Sequence, residues 1–270
     1  MNTPVNSPVN TLAVRHAEGG VLHLTLNRPD VRNAMSLALV LELRQALAAA
    51  EADGRTRVVV LRGAGGHFCA GADLKDMAAA RATLAEDPEA IVKINAAFGD
   101  LCVAFAQTGL ATVAVLEGTV MGGGLGLACV VDVAMAGTNA VFRLPETGLG
   151  VVPAQIASFL VERLGYAEAK RLAVTGGKLD ARAALELRLV HSTHAAGSLD
   201  HALAALLAEM LQCAPGAVAA TKALMAQARF HTPASLVQHA AQVFSAAALG
   251  PEGTEGTTAF LAQRKPSWAP

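Results

Sequence analysis

The sequence predicts an α/β core followed by a region made only of helices. Short apolar strands alternate with helical patterns in the earlier part of the 270-residue chain; the clearest are Val21–Leu26, Val58–Leu61 and Thr112–Leu116. The uniformly apolar Val58–Leu61 is typical of a strand that is buried on both faces of a sheet. Beyond Leu199 the apolar spacing is helical throughout, and it is divided by Pro215, Pro233 and Pro251.

The change in composition near residues 195–197 predicts where these two parts meet. We therefore expect an α/β core over residues 1–196 and a helical region, used for oligomerisation, over 197–270. Residues 1–12 repeat a Pro-Val-Asn triplet and have neither the basic segment nor the apolar segment of a signal peptide. They are expected to form a disordered leader.

Capping residues predict where the helices begin and end. Ser36 is expected to cap a helix that ends at Asp53-Gly54. Asp87 and Pro88 predict the start of a second helix, which should run to Gly109. Further along, short strands are predicted at 133–136, 141–142 and 189–190, and helix ends at Gly165 and Gly176-Gly177.

Composition limits the classes of partner and cofactor. The chain has 21 basic and 22 acidic residues, a formal net charge of −1 and no basic block, so we expect neither nucleic acid nor an anionic membrane as a partner. The most apolar window, Gly118–Val131, is too short and too rich in glycine to cross a bilayer. The four cysteines show no metal-ligand spacing, which predicts reduced thiols, a cytoplasmic location and no metal site.

A glycine-rich bend followed by one acidic residue predicts the reactive site. Gly122, Gly123 and Gly124 stand between an apolar strand and an apolar helix, where glycine lets backbone N–H groups approach a ligand. Glu146 follows in an apolar segment, where burial would raise its pKa toward neutrality. Together they suit proton transfer with anion stabilisation. The alternatives are a helix–sheet packing turn for the glycines and a turn-capping role for Glu146.

Five segments in order resemble the crotonase superfamily, the enoyl-CoA hydratase/isomerase family, over roughly residues 21–268. Two are the segment that begins Phe68-Cys-Ala-Gly-Ala-Asp73 and the glycine segment Val120–Ala128. The other three are Asp132–Ala136, Phe142-x-x-Pro-Glu146 and the C-terminal Phe260–Trp268. The resemblance implies a spiral of ββα units with a C-terminal helical region, assembled as trimers or dimers of trimers. It also implies an acyl-CoA thioester substrate, with coenzyme A as part of that substrate and no metal or redox cofactor.

The same resemblance assigns roles to individual positions. The backbone N–H groups of Ala72 and Gly123 would form the oxyanion hole for the thioester oxygen, and Glu146 would be the catalytic acid and base. Ala70, Asp73 and Leu74 match the stretch that contacts the adenine end of coenzyme A. Positions that meet the nucleotide or its phosphates are matched by Arg28, Phe260 and Lys265, the last two often from a neighbouring subunit.

One departure from the family pattern concerns the reaction type. Hydratases with two glutamates carry the first of them at the position of Gly126, so only Glu146 remains here. Asp76, Glu117 and Gln155 are alternatives for holding the water in its place. The run Gly150–Ile156 and the Thr-Gly-Gly-Lys178 turn are most similar to isohexenylglutaconyl-CoA hydratases, which, like methylglutaconyl-CoA hydratases, act on branched glutaconyl-CoA substrates.

We therefore expect hydration of a branched 2-enoyl-CoA by one glutamate. A Δ3,Δ2-enoyl-CoA isomerase, which also works with a single carboxylate, is the first alternative. A non-catalytic CoA-binding member of the family is the second. An RNA-binding role ranks last, since the sequence has no basic stripe.

Overall fold

A largely parallel sheet is the centre of the structure. The computed structural model describes residues 11–195 and 197–270, and within them the larger sheet has six strands in the order β1-β2-β3-β4-β6-β9. These strands are β1 (Leu12–Ala17), β2 (Val21–Leu26), β3 (Val58–Gly63), β4 (Ala111–Leu116), β6 (Val133–Gly137) and β9 (Ser192–His194). β1 is antiparallel to β2, and the other neighbouring strands are parallel.

A second sheet of three strands lies at the end of this core where the glycine-rich bend is found. It is formed by β5 (Thr119–Met121), β7 (Val141–Arg143) and β8 (Lys178–Asp180). β5 pairs in parallel with β7, and β7 is antiparallel to β8. Because β5 ends at Met121, the small sheet fixes where the next helix, α4, begins.

Helices cover both faces of the larger sheet. They are α1 (Leu37–Ala52), α2 (Leu74–Ala82), α3 (Ala90–Gln107), α4 (Gly123–Val130), α5 (Ala157–Thr175), α6 (Ala181–Glu186), α7 (Leu199–Met210), α8 (Pro215–Ala228), α9 (Pro233–Leu249) and α10 (Pro251–Leu261). Alternation along β3 shows the two layers: Val59 and Leu61 pack in the core with α1, α3 and α4, whereas Val58 and Val60 pack with α7. A strand buried on both faces needs this continuous apolar sequence.

The C-terminal region is a helical array attached to the core by apolar and polar contacts. Pro215, Pro233 and Pro251 are each the first residue of a helix, where the missing N–H costs nothing. The Arg57 side chain donates to the carbonyl oxygens of Leu211 at 2.9 Å and Trp268 at 2.7 Å. The division at 196/197 separates mixed structure from helices only, but α7 shares its apolar core with the sheet.

Most predicted elements are present, and four details differ. Leu12, expected in the leader, begins β1 opposite Leu26 and is buried, whereas residues 1–10 lie outside the described part of the chain. Leu189 and Val190 are buried core residues, and the strand begins two residues later at Ser192. Gly165, at φ 75° and ψ 157°, divides α5 into two helical segments as predicted, whereas the strand β8 at Lys178–Asp180 was not predicted.

The fourth difference is the start of α3. Asp87 caps a turn by accepting from the Glu89 N–H at 3.2 Å, and the helix begins at Ala90. By length and composition alone α3 could cross a membrane, a property that we did not recognise in the sequence. In this fold its Leu101, Cys102 and Phe105 are buried in the core beneath α1.

Candidate active site

The first wall of the site is the extended segment that ends at Asp73. Met35 N–H donates to Gly71 O at 2.7 Å and Asp73 N–H donates to Met35 O at 3.0 Å. These two bonds fix the peptide of Ala72 with its own N–H directed away from Met35. Among the described residues, no group accepts the Ala72 N–H.

The second wall is the start of α4. Gly122 has φ 51° and ψ −119°, a conformation open to glycine, and it turns the chain from β5 into the helix. The first N–H groups of a helix have no partner within it, so the Gly123 N–H is free for a ligand. Within residues 11–195 and 197–270 nothing accepts a hydrogen bond from it.

The two free N–H groups belong to residues that line one cavity of about 650 Å³. Its wall is largely apolar and includes Met77, Ile91, Phe98 and Ile156. Phe98 packs against Gly123, where an added Cβ would lie 3.0 Å from the ring. Two unpartnered N–H groups on residues that line one apolar cavity can stabilise a negative charge that develops on an oxygen bound there.

Glu146 lines the same cavity and carries the ionisable group expected there. It begins a short helical turn, Glu146–Leu149, and a Cβ added at Gly122 would lie 3.0 Å from Glu146 Oε1. Its other oxygen, Oε2, is buried without a hydrogen-bond partner in the described structure. Burial raises the pKa of Glu146 above its usual value, and a hydrogen bond from its own backbone N–H opposes that rise.

The place of the missing glutamate is filled by an apolar side chain. A Cβ added at Gly126 would lie 2.2 Å from Ile156 Cγ2, and Ile156 is almost fully buried. A carboxylate at 126 is therefore incompatible with Ile156 in this position. With glycine at 126 and isoleucine at 156, Glu146 is the one carboxylate among the described residues that line the cavity.

The three candidates for replacing that glutamate have separate locations. Asp76 Oδ2 accepts from the Leu37 N–H at 2.7 Å and so caps α1. Glu117 pairs with Arg62 at 3.1 Å. Only Gln155 of the three lines the cavity, where its Nε2 donates to Asn95 Oδ1 at 2.7 Å.

The predicted coenzyme A contacts are divided between the cavity and other surfaces. Ala70 and Leu74 line the cavity, and Leu74 is 63% exposed. Asp73 caps α2 and pairs with Arg28 at 2.7 Å, and Arg28 also donates to Ala34 O at 2.6 Å. Burial would raise the pKa of Asp73, but the Arg28 guanidinium and the Lys75 N–H outweigh burial and lower it. This pair stabilises the segment that presents Ala72.

Phe260 and Lys265 lie on the C-terminal region and do not line the cavity of the described chain. Phe260 is 81% exposed, and Lys265 Nζ donates to Pro270 O at 2.6 Å. The resemblance assigns them to a neighbouring subunit's site, so the contact stays a prediction. Met77, Ile91 and Phe98 supply part of the cavity wall, whereas the described C-terminal helices contribute no lining residue.

Sequence reasoning named Gln155 but missed its hydrogen-bond partner Asn95 and the residue that accommodates the pair. Asn95 interrupts the otherwise apolar face between Ile91 and Phe98 on α3, and that interruption was the available signal. Gly99 lies one turn further along and faces Gln155. Its role depends on a contact between distant segments, which spacing alone does not reveal.

Comparison with known proteins places this site in a family. The family model described as enoyl-CoA hydratase/isomerase matches residues 16–270, which is most of the chain. The protein belongs to the enoyl-CoA hydratase/isomerase family. Binding of an acyl-CoA substrate is therefore expected, and the α/β architecture described above is the fold of that family.

Relatives within the enoyl-CoA hydratase/isomerase family include both reaction types. The 2,3-dehydroadipyl-CoA hydratase of Escherichia coli is 32% identical over 92% of this chain and 94% of its own length. The peroxisomal Delta(3,5)-Delta(2,4)-dienoyl-CoA isomerase of Arabidopsis thaliana is 28% identical over 94% of this chain and 95% of its own. The solved structure of Pseudomonas aeruginosa AtuE is 51% identical, with a TM-score of 0.92, covering 96% of this chain and all of that one.

Proposed function

We propose that this family member hydrates a branched 2-enoyl-CoA thioester with Glu146 as its acid and base. One observation carries the proposal: two unpartnered N–H groups and a buried, unpartnered carboxylate oxygen belong to residues that line one cavity. The N–H groups of Ala72 and Gly123 would polarise the thioester carbonyl. Removal of one such donor typically costs ~3 kcal/mol of transition-state stabilisation.

The proposed reaction needs no group beyond these residues and water. The Glu146 carboxylate takes a proton from water as the water oxygen bonds to the β-carbon. The π electrons move toward the thioester oxygen, where the Ala72 and Gly123 N–H groups stabilise the enolate. Glu146 then gives the proton to the α-carbon and returns to its carboxylate form. A raised pKa suits a group that must accept and then donate one proton.

Isomerisation is the second candidate, and Ile156 is the observation that favours it. With Ile156 where a second carboxylate would stand, the site has one acid, which is all that moving a proton along an acyl chain requires. We rank hydration first because the Gly150–Ile156 run resembles isohexenylglutaconyl-CoA hydratases. The relatives named above include one hydratase and one isomerase, so they are compatible with either reaction.

Product mass separates the candidate functions. The protein would be incubated separately with branched 2-enoyl-CoA and 3-enoyl-CoA thioesters, glutaconyl types included. Hydration adds about 18 Da to the 2-enoyl substrate, whereas isomerisation leaves the mass of the 3-enoyl substrate unchanged and moves its double bond. Binding of every thioester without conversion would instead identify a non-catalytic CoA-binding protein.

We further propose a homotrimer or a dimer of trimers, acting in the cytoplasm without a metal or redox cofactor. Support for assembly comes from large apolar side chains exposed in the C-terminal region: Met225, Phe230, Val237, Phe244, Leu249, Phe260 and Leu261. Such a patch is typical of a protein–protein interface. The absence of a nucleic-acid or membrane partner stays a prediction from composition.

A further inference from the structure

Two amide side chains form a polar spot in the apolar part of the cavity. Gln155, on the short helical turn Ala154–Ile156, donates from Nε2 to Asn95 Oδ1 at 2.7 Å. Both residues line the 650 Å³ cavity, and Asn95 also lines an adjoining apolar cavity of about 100 Å³. Neither residue has a part in the proposed reaction.

The backbone of α3 is shaped to receive this pair. A Cβ added at Gly99 would lie 2.2 Å from Gln155 Oε1, so any other residue at 99 would displace the amide. Gly99 is buried in the middle of the 18-residue helix α3, where glycine lowers helix stability relative to alanine by about 1 kcal/mol. The absence of a side chain at Gly99 thus leaves the space that the Gln155 amide occupies.

The pair keeps unused hydrogen-bonding capacity. An asparagine amide nitrogen carries two N–H donors, and across the described residues no acceptor is found for Asn95 Nδ2. Gln155 Oε1, by contrast, lies against α3 at Gly99. The pair therefore has a free N–H donor to offer a ligand, which matches an acceptor oxygen.

The position of Asn95 relates this donor to the acyl chain. Asn95 precedes Phe98 by three residues, which is about 4.5 Å along the helix axis. Phe98 packs on Gly123, whose N–H would bind the thioester oxygen. The amide pair thus lies about one helical turn along α3 from the residue that packs on Gly123, on the wall of the same cavity.

Charge in the cavity shows how an oxygen would be recognised. Of the described residues that line the two cavities, Glu146 alone is ionisable, and none is Arg, Lys or His. An oxygen on the substrate would therefore meet an amide N–H and not a cationic side chain.

We propose that Asn95 and Gln155 form a specificity subsite for an acceptor oxygen that the acyl chain carries. This subsite rests on the proposed function, since it assumes that the thioester oxygen binds at Ala72 and Gly123. A carboxylate and a neutral ester carbonyl both supply the acceptor. The adjoining apolar cavity would take a hydrocarbon branch of the same substrate.

The test compares three thioesters of matched shape: 3-methylglutaconyl-CoA, its terminal methyl ester and 3,5-dimethyl-2-hexenoyl-CoA. For each oxygen-bearing substrate, the quantity compared is its kcat/KM divided by the kcat/KM of the hydrocarbon substrate. We expect Asn95→Leu to lower this ratio about tenfold, the effect of one lost hydrogen bond. Gly99→Ala should lower the same ratio by displacing Gln155 while favouring the helix. Gln45→Leu, an amide on α1 outside both cavities, is the control and should leave the ratio as it is.

Binding of saturated analogues separates failure of the subsite from failure of the hydratase proposal. Calorimetry would compare 3-methylglutaryl-CoA with 3,5-dimethylhexanoyl-CoA on the wild-type protein and on Asn95→Leu. Tighter binding of the oxygen-bearing analogue, lost in the variant, supports the subsite even if no 2-enoyl-CoA is hydrated. Equal binding of the two analogues by the wild type, or equal losses of kcat/KM on all three substrates, overturns it.

Discussion

At the scale of single residues, the environment of Glu146 decides what the cavity can do. Its Oε2 is buried without a partner, and a carboxylate in that state is costly because water can no longer solvate the charge. The cavity lining supplies no cation to compensate it in the described structure. The group is therefore inclined to take up a proton, which is the property that acid–base catalysis requires.

The first prediction removes the acid while keeping its shape. Glu146→Gln should lower kcat/KM on the preferred thioester by a factor on the order of 10²–10⁴, the usual range for a general acid–base residue. Steady-state kinetics with mass detection of product would measure it. The matched control is Glu209→Gln, since Glu209 is exposed on α7 and remote from the cavity; it should retain wild-type kinetics. Full activity in Glu146→Gln would refute the catalytic role.

The second prediction concerns pH. Because Glu146 must begin as a carboxylate, kcat/KM should fall as pH decreases through its pKa, and burial places that fall above the value of 4.5 for a free glutamate. The pH dependence of stability that Glu146 causes has the opposite sign to that of an acid in a salt bridge. The folded state binds the proton more tightly, so Glu146 lowers the free energy of unfolding as pH rises through its raised pKa.

Glu146→Gln should therefore be more stable than the wild type at pH 8 and lose that advantage below pH 4.5. Urea unfolding at the two pH values would measure this. A wild-type protein more stable than the variant at pH 8 would contradict a desolvated carboxylate.

At the scale of elements, two bends present the N–H groups, and one of them also limits where Glu146 can lie. Gly122 combines φ 51° with a Cβ position 3.0 Å from Glu146 Oε1. Gly122→Ala should cost about 1–3 kcal/mol of unfolding free energy through backbone strain. It should also lower kcat by displacing the carboxylate.

The control for that third prediction is Gly54→Ala. Gly54 follows α1 at φ 63°, and nothing lies within 4 Å of an added Cβ. It should therefore show the backbone strain without a change in kcat. Thermal unfolding and steady-state kinetics on the two variants would separate strain from displacement. A normal kcat in Gly122→Ala would show that Glu146 does not depend on this contact.

Sequence reasoning predicted elements well where one local rule decides them. Ser36 caps α1 as expected, with the Leu39 N–H donating to its Oγ at 3.2 Å, and Gly176 ends α5 at φ 60°. Asp132, between α4 and β6, accepts from the Thr112 N–H at 2.8 Å. Strand β1 was missed because its side chains from 13 to 16 are exposed, so only pairing with β2 shows that it is a strand.

The candidate site was predictable in its backbone parts and not in its side-chain contacts. Ala72, Gly123 and Glu146 were found from a glycine run and from family spacing, and the fold brings them to one cavity. Ile156 beside Gly126 depends on how α4 meets the turn before α5. Such a contact between distant segments has no local sequence signature. The same is true of the contact between Gln155 and Gly99.

At the scale of the whole molecule, the C-terminal helices are attached to the core but leave apolar surface exposed. Lys222 on α8 donates to Leu110 O and to Asp132 Oδ2, each at 2.6 Å. Elsewhere in this region Phe230, in the turn after α8, is 78% exposed, and Phe244, on α9, is 75% exposed. Side chains of this size normally bury their surface, which a second copy of the chain could provide.

The last prediction tests that assembly together with its link to substrate binding. Phe244→Asp places a charge in the exposed apolar patch, so light scattering should show the wild type at three or six times the 27.5 kDa chain mass and the variant shifted toward one. Tyr166→Asp, which also replaces an exposed aromatic but lies on α5, should keep the wild-type mass.

If Phe260 and Lys265 serve a neighbour's site, the smaller species should show a higher KM for acyl-CoA with Glu146 still active. A wild type that is monomeric, and whose KM for acyl-CoA equals that of Phe244→Asp, would overturn both the assembly and the shared site.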